Sequence, residues 1–229
     1  MKALVLLSGG VDSSTCLALA KKKYGDEVMA LSMSYGQKHK KELESAQDIA
    51  DYYKVKLIHM DLAQIFAYSD CSLLQGSTQE VPKESYAEQV AKRQGEAVST
   101  YVPFRNGLFL SAAASIALEF GCEEIYYGPH SDDAAGNAYP DCSVEFNEAM
   151  NSAIYLGSGK KVKLVAPFVD KTKKDIVAAG LSLGVPYELT WSCYDGGAVP
   201  CGCCATCIDR QKAFAANGVA DPLLVNGGK

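Results

Sequence analysis

Six residues near the start of the chain, Ser8-Gly9-Gly10-Val11-Asp12-Ser13, stand between an apolar run at residues 3–7 and a stretch of helical character at 12–24 that Gly25 ends. Two adjacent glycines allow a tight turn from strand to helix and let backbone N–H groups come close to an anion. The helix start adds its unpaired N–H groups and the positive end of its dipole. Ser8 and Ser13 add hydroxyl donors. The segment therefore reads as a phosphate cradle. No GK[ST] ending follows, so there is no lysine to reach a transferred terminal phosphate, and the segment is not a Walker loop. The plain alternative is a structural turn in which Asp12 caps the helix.

Apolar runs alternate with amphipathic stretches beyond this point. Strands are expected at 3–7, 28–35, 56–62, 124–128 and 162–166, and helices at 12–24, 39–54, 106–120 and 172–183. Thr172 followed by Asp175 fits a capping box at the start of the last helix. Such alternation predicts an α/β fold with a doubly wound, mostly parallel sheet, whose ligands sit at the carboxyl ends of the strands. One domain over 1–229 is expected, with an inserted loop or lid at about 66–102, containing Gly76, Pro82 and Gly95. A cysteine-rich, metal-binding segment at about 191–212 follows, and its part from 191 to 207 reads as lacking regular structure.

The 229 residues are 48% hydrophobic and 21% charged, which is ordinary globular composition and argues against disorder. No apolar run approaches the roughly 20 residues of a membrane helix, and the short apolar start reads as a strand rather than a signal peptide. A net charge of −5 weighs against a protein that grips nucleic acid by its phosphates. The two basic runs, Lys21-Lys22-Lys23 and Lys38 through Lys41, fall in expected helices and read as solvated faces.

Nine cysteines are present, and Cys193-x7-Cys201-x2-Cys204-x2-Cys207 places four of them at metal-ligand spacing. Four thiolates suit a closed structural Zn²⁺ site, one per chain; an iron–sulfur cluster is the other occupant with this ligand chemistry. Crowding of this kind fits a reducing cytoplasm better than a secreted disulfide framework. Gly202 provides the turn, Cys203 is set outside the ligand set, and Cys16, Cys71, Cys122 and Cys142 read as small buried hydrophobes.

The SGGxDS pattern at 8–13 resembles the PP-loop ATP pyrophosphatase superfamily. Joined to Tyr35-Gly36-Gln37-Lys38-His39, Val102-Pro103-Phe104-Arg105-Asn106, Asp132-Asp133, Tyr139-Pro140-Asp141-Cys142 and Trp191-Ser192-Cys193, it resembles the 7-cyano-7-deazaguanine synthase family of queuosine biosynthesis over nearly the whole chain. The resemblance implies a ligase that uses ATP, with Mg²⁺, to join ammonia to 7-carboxy-7-deazaguanine through an adenylated acid and then an adenylated amide. It implies ATP contacts over Leu7, Ser8, Gly9, Gly10, Val11, Asp12, Ser13, Ser14, Thr15, Cys16 and Leu17, with Asp12 and Ser13 catalytic. Two further catalytic candidates are Arg105, able to pair with a carboxylate or phosphate, with a surface cap as its alternative, and Lys173 at a helix start, able to reach pyrophosphate, with a solvated lysine as its alternative. Gln37, His39, Asp132, Asp133 and Asp141 are candidates for substrate or Mg²⁺ contacts, each with an ordinary turn or helix-start role as its alternative. A cytoplasmic homodimer acting on small molecules, with no nucleic-acid or membrane partner, completes the expectation. The rivals are a tRNA thiolase carrying an iron–sulfur cluster, which should be more basic, and an ATP-sensing regulator that makes no AMP.

Overall fold

The computed structural model describes residues 1–93 and 96–225; Gly95 of the expected insertion and the last four residues of the expected domain lie outside the described residues. Five strands, β1 (Ala3–Leu6), β2 (Val28–Ser34), β3 (Lys56–Asp61), β4 (Glu124–Tyr126) and β5 (Lys163–Val165), form one sheet in the order β3-β2-β1-β4-β5. Every pairing is parallel, with Val5 opposite Ala30 on one side and Tyr126 on the other. The helices are α1 (Val11–Tyr24), α2 (Lys41–Tyr53), α3 (Ala63–Phe66), α4 (Tyr86–Arg93), α5 (Arg105–Glu119), α6 (Ser131–Ala134), α7 (Val144–Gly157), α8 (Lys173–Leu183), α9 (Ala205–Ala216) and α10 (Pro222–Val225).

Both sheet faces are covered, which is why the central strands read as continuous apolar runs rather than alternating ones. Alternate side chains nevertheless part to opposite faces. Ala3, Val5, Val28 and Ala30 pack with α1, α2, α8 and α9 residues such as Leu17, Ile49, Ile176 and Phe214. Leu4, Met29, Leu31 and Met33 pack with Leu110 and Ala113 of α5 and Ile154 of α7. Cys16, Cys71, Cys122 and Cys142 are all buried, as expected of small apolar side chains. No helix among the described residues is long and apolar enough to cross a membrane.

Two expectations need correction. Helix α2 begins at Lys41, so Lys38 and Lys40 precede it; the Gly36 backbone at φ +82° and the pairing of Gln37 with Leu74 hold that stretch as a turn. The cysteine segment is not irregular throughout, because α9 starts at Ala205 and carries Cys207 in its first turn. Cys204 is its extended N-cap residue, so the Cys204-x2-Cys207 spacing wraps a helix start.

Strand order runs outward from β1 to β2 and β3, then restarts on the other side with β4 and β5. The reversal lies between β1 and β4, and in open α/β sheets the crevice at such a reversal is the ligand site. The turns after β1 and β4, with the helix starts that follow them, hold Ser8–Ser13 and Gly128–Asp133, so both segments face that crevice.

Candidate active site and metal centre

The loop after β1 is built to stay open at its helix end. Gly9 has φ +83°, and a Cβ there would lie 2.4 Å from the Glu42 carbonyl oxygen and 2.6 Å from the Ala46 nitrogen. Only glycine allows α2 to pack so closely on the loop. Ser13 Oγ ties the turn together: it accepts from Ser8 N at 3.2 Å, lies 3.1 Å from Ser8 Oγ and donates to Gly10 O at 3.3 Å. Gly10 caps α1 without a side-chain hydrogen bond, which leaves the first N–H groups of the helix free for an anion.

Beside the loop sits a knot of charge. Lys173 Nζ donates to Asp12 Oδ2 at 2.5 Å, and His130 Nε2 lies 3.3 Å from Asp133 Oδ2 and 4.0 Å from Asp12 Oδ2. Burial works against the Asp12 charge, but Lys173 and His130 outweigh it and hold this carboxyl below its ordinary range. Burial raises Asp133, with His130 and Lys173 only partly compensating. Asp12 Oδ1 and His130 Nδ1 are buried without hydrogen-bond partners. Asp132 accepts from the Lys173 backbone N–H at 2.8 Å, so its carboxylate secures the start of α8. Gly128 fits tightly here, because a Cβ would lie 3.1 Å from that of Asp12.

A cavity of about 240 Å³ opens from this loop, lined in part by Leu7, Ser8, Gly10, Asp12, Ser13, Gln37, Arg105, Asp133 and Lys173. Its aromatic wall includes Tyr35, Phe109, Tyr86, Tyr139 and Tyr194. The Arg105 guanidinium lies 5.0 Å from the Tyr35 ring centre and 5.9 Å from that of Phe109, within cation–π range. Three phenol hydroxyls meet here: Tyr86 to Tyr194 at 2.6 Å, Tyr139 to Tyr86 at 3.2 Å and Tyr139 to Tyr194 at 3.4 Å. They join the insertion, the loop after α6 and the cysteine segment at one point of the wall.

The remaining sequence-derived candidates serve the frame of the site, and of these Gln37 also reaches the cavity wall. Gly9 and Val11 shape the turn, while Ser14, Thr15, Cys16 and Leu17 are buried along α1; Thr15 Oγ1 meets Tyr187 OH at 2.8 Å. Asp141 lies behind the wall and accepts from Asn106 N at 2.9 Å, capping the α5 start that carries Arg105. His39 packs its ring against Gly196, where a Cβ would come within 2.3 Å of it. Gln37 accepts from Tyr35 N at 2.9 Å, shaping the turn that presents Tyr35.

Sequence reasoning missed several lining residues: Glu42, His130, Ser192, Tyr194, Thr206 and Asp209. His130 could have been found, since it follows β4 at a strand's carboxyl end. Glu42 carries no such signal, because a Glu in a helix's first turn is an ordinary dipole partner.

The sulfur atoms of Cys193, Cys201, Cys204 and Cys207 all lie within 4.8 Å of one another, and Cys203 is exposed. Hydrogen bonds from Cys193 and Cys207 hold the Cys204 thiol far below its ordinary range, while the same contacts push Cys207 up. Four thiols crowded in this way are chemically suited to a single metal ion. The cluster reaches the phosphate loop through Trp191, whose backbone N–H donates to Gly9 O at 2.9 Å.

A doubly wound parallel sheet with an SGGVDS phosphate loop at its strand reversal defines a nucleotide-binding enzyme of the PP-loop type, here with a four-cysteine centre docked on the loop. Residues 2–218 match the family described as queuosine biosynthesis protein QueC. Among curated proteins, the chain is 49% identical over 225 residues to a 7-cyano-7-deazaguanine synthase of Archaeoglobus fulgidus, covering 98% of this chain and 90% of that one. It is 43% identical to the enzyme of that name from Caldicellulosiruptor bescii, covering 97% and 96%, and 41% identical to that of Oceanobacillus iheyensis, covering 97% of each. The chain belongs to the 7-cyano-7-deazaguanine synthase family. Among solved structures, the U34-tRNA thiolase NcsA from Methanococcus maripaludis with its [4Fe-4S] cluster shares the fold. Its TM-score is 0.51 and its identity 17%, over 82% of this chain and 58% of the thiolase.

Proposed function

We propose that the chain converts 7-carboxy-7-deazaguanine and ammonia to 7-cyano-7-deazaguanine, using ATP twice. One observation carries the reading: a single cavity is walled both by the phosphate loop and by an aromatic box around Arg105, so nucleotide and planar acid can meet. A carboxylate is a poor electrophile. Attack of its oxygen on the α-phosphorus expels pyrophosphate, and AMP then becomes the leaving group. The nitrogen lone pair of ammonia forms the C–N bond, the C–O bond to AMP breaks, and an amide results. The amide oxygen then attacks a second α-phosphorus, and loss of the two N–H protons with expulsion of AMP leaves the nitrile.

This chain's own groups supply position and charge. The free N–H groups at the start of α1 and the hydroxyls of Ser8 and Ser13 would take the leaving pyrophosphate, with Lys173 adding a cation beside them. Arg105 would take the substrate carboxylate from within the aromatic wall. The orphaned Asp12 Oδ1 and the neighbouring Asp133 fit a divalent cation, and these two would hold the Mg²⁺ that balances the triphosphate charge. Asp132 and Asp141 are assigned positioning roles at the starts of α8 and α5.

The four cysteines would hold Zn²⁺ in a structural role, because four thiolates leave no open position. Sulfurs this close surround one ion, whereas each thiolate of a four-iron cluster binds its own iron and stands further from the others. We read the chain as one domain over 1–229, with the insertion at 66–102 as a lid that contributes Leu73 and Tyr86 to the cavity, and the metal segment at 191–212. We read it as a cytoplasmic homodimer with small-molecule substrates; the free thiols fit the reducing compartment, and the net charge of −5 weighs against a nucleic-acid partner.

The test is incubation with ATP, Mg²⁺, an ammonium salt and the deazaguanine acid, followed by mass spectrometry. The expected products are the nitrile, AMP and pyrophosphate. ADP and phosphate as the only nucleotide products would overturn the reading.

A further inference from the structure

Most carboxyl groups in the cavity wall already face a cation. Asp12 is bonded by Lys173, Asp133 lies beside His130, and Asp209 faces Lys173 and Lys212. Glu42 differs in its place: it faces Arg105 rather than Lys173 or His130, sits in the first turn of α2 against the phosphate loop, lines the cavity, and its carboxylate makes no hydrogen bond among the described residues. Its backbone packs on Gly9 of the phosphate loop, so the side chain starts beside that loop. The groups that face it are the Arg105 guanidinium and the Tyr35 hydroxyl. Arg105 is itself held against the rings of Tyr35 and Phe109.

A carboxylate with no hydrogen bond of its own, between a phosphate loop and the cation assigned to the acid, is placed for a small donor that arrives after activation. The geometry points to Glu42 as the catalytic residue that binds ammonium and takes its proton, releasing ammonia next to the activated acyl carbon. This rests on the amide-forming reading above. The carboxylate accepts one proton from ammonium. The freed lone pair forms the C–N bond, and the tetrahedral adduct sheds its extra N–H proton to water. The C–O bond then breaks, with its electron pair leaving on AMP. Protonated Glu42 returns its proton to solvent before the next turnover. Burial supports the role, since it pushes this carboxyl up to about 7 despite Arg105, and a base works best when its pKa lies near the working pH.

The experiment separates activation from amination in the holoenzyme. Acid-dependent exchange of labelled pyrophosphate into ATP, without ammonium, reads activation alone. Amide formation reads both steps. Hydroxylamine, largely unprotonated at neutral pH, traps the activated acid without needing a base. Glu42→Gln is nearly isosteric, and a cooperative melting transition no lower than that of wild type will establish that it folds. In this variant kcat/KM for ammonium should fall on the order of 10²-fold, while exchange and hydroxamate formation stay within about threefold. Glu42→Asp should recover part of the ammonium rate. Unchanged ammonium kinetics in Glu42→Gln would overturn the assignment. So would an equal loss of exchange and amide formation, which would place Glu42 on the purine-like ring or the nucleotide. Wild-type protein without acid-dependent exchange would overturn the activation reading itself, and this one with it.

Discussion

Asp12 and Lys173 are separated by 161 residues, yet their side chains form the tightest charged contact in the site. Lys173→Met would leave a buried carboxylate with one orphaned oxygen and no lysine. We expect a loss of about 1–3 kcal/mol in urea unfolding and of about 10²–10³-fold in AMP release, the range typical of removing one charged donor. Because the Asp12 pKa is lowered in the fold, its contribution is present above the ordinary carboxyl value of 3.8 and is lost as pH falls through the lowered one. Glu42 has the opposite sign. Its folded value of about 7 lies above the ordinary 4.5, so between those values the native state binds more protons than the unfolded state, and stability falls as pH rises. Urea melts of wild type and Glu42→Gln from pH 5 to 8 should show that slope only in the wild type. An identical slope in both would remove Glu42 as its source. Asp12 was legible from its hexapeptide and Lys173 from its helix start, but their contact was not, since it depends on how α8 returns over α1. Glu42 was invisible for the same reason.

At the scale of elements, the site depends on helix starts. Thr172 and Asp175 form the capping box that the sequence predicts, and it fixes where Lys173 leaves the backbone of α8. Asp141 does the same for α5 and Arg105 from outside the cavity, a role that its residue type allows but its position in the sequence does not reveal. The strand–helix alternation made the sheet readable because the central strands β1 and β2 are covered on both faces and two of the expected helices end at glycine stops, Gly25 and Gly184. The start of α2 was read two residues early because His39 and Lys40 have helix-compatible side chains, while the turn at Gly36 is set by pairing with Leu74. The closeness of α2 to the loop yields a prediction. Gly9→Ala places a methyl against the Glu42 carbonyl at a backbone angle that alanine disfavours. It should cost at least about 2 kcal/mol and abolish measurable ATP binding by calorimetry. Gly76→Ala, with nothing within 4 Å of its Cβ, should stay within about 0.5 kcal/mol of wild type. Equal stability of the two variants would show that the loop does not need this close packing.

Over the whole molecule, the cysteine centre and the phosphate loop are one mechanical unit. The Trp191 backbone N–H binds Gly9 O, and the segment from Tyr187 to Ser192 is drawn inward by Arg210. That guanidinium is buried, pairs with Asp221 at 2.7 and 2.9 Å, and donates to Tyr187 O and Thr190 Oγ1 at 3.0 and 2.7 Å. The four-cysteine spacing was legible because short-range ligand pairs are local, whereas the Arg210–Asp221 pair and the docking of Trp191 on the loop are not. Metal binding to such a segment is coupled to its folding. Removing one ligand should therefore loosen both the segment and the loop that it supports. We expect Cys204→Ser to lose most of its metal, to melt at least several degrees lower and to bind ATP more weakly, although Cys204 does not line the cavity. Cys203→Ser should keep a full equivalent of metal, since this thiol is exposed and lies outside the cluster. Metal analysis, melting curves and ATP titration on both variants form the check. Metal retained in Cys204→Ser but lost in Cys203→Ser would overturn the ligand set. Metal lost from Cys204→Ser with ATP affinity unchanged would keep the ligands but sever the link to the loop.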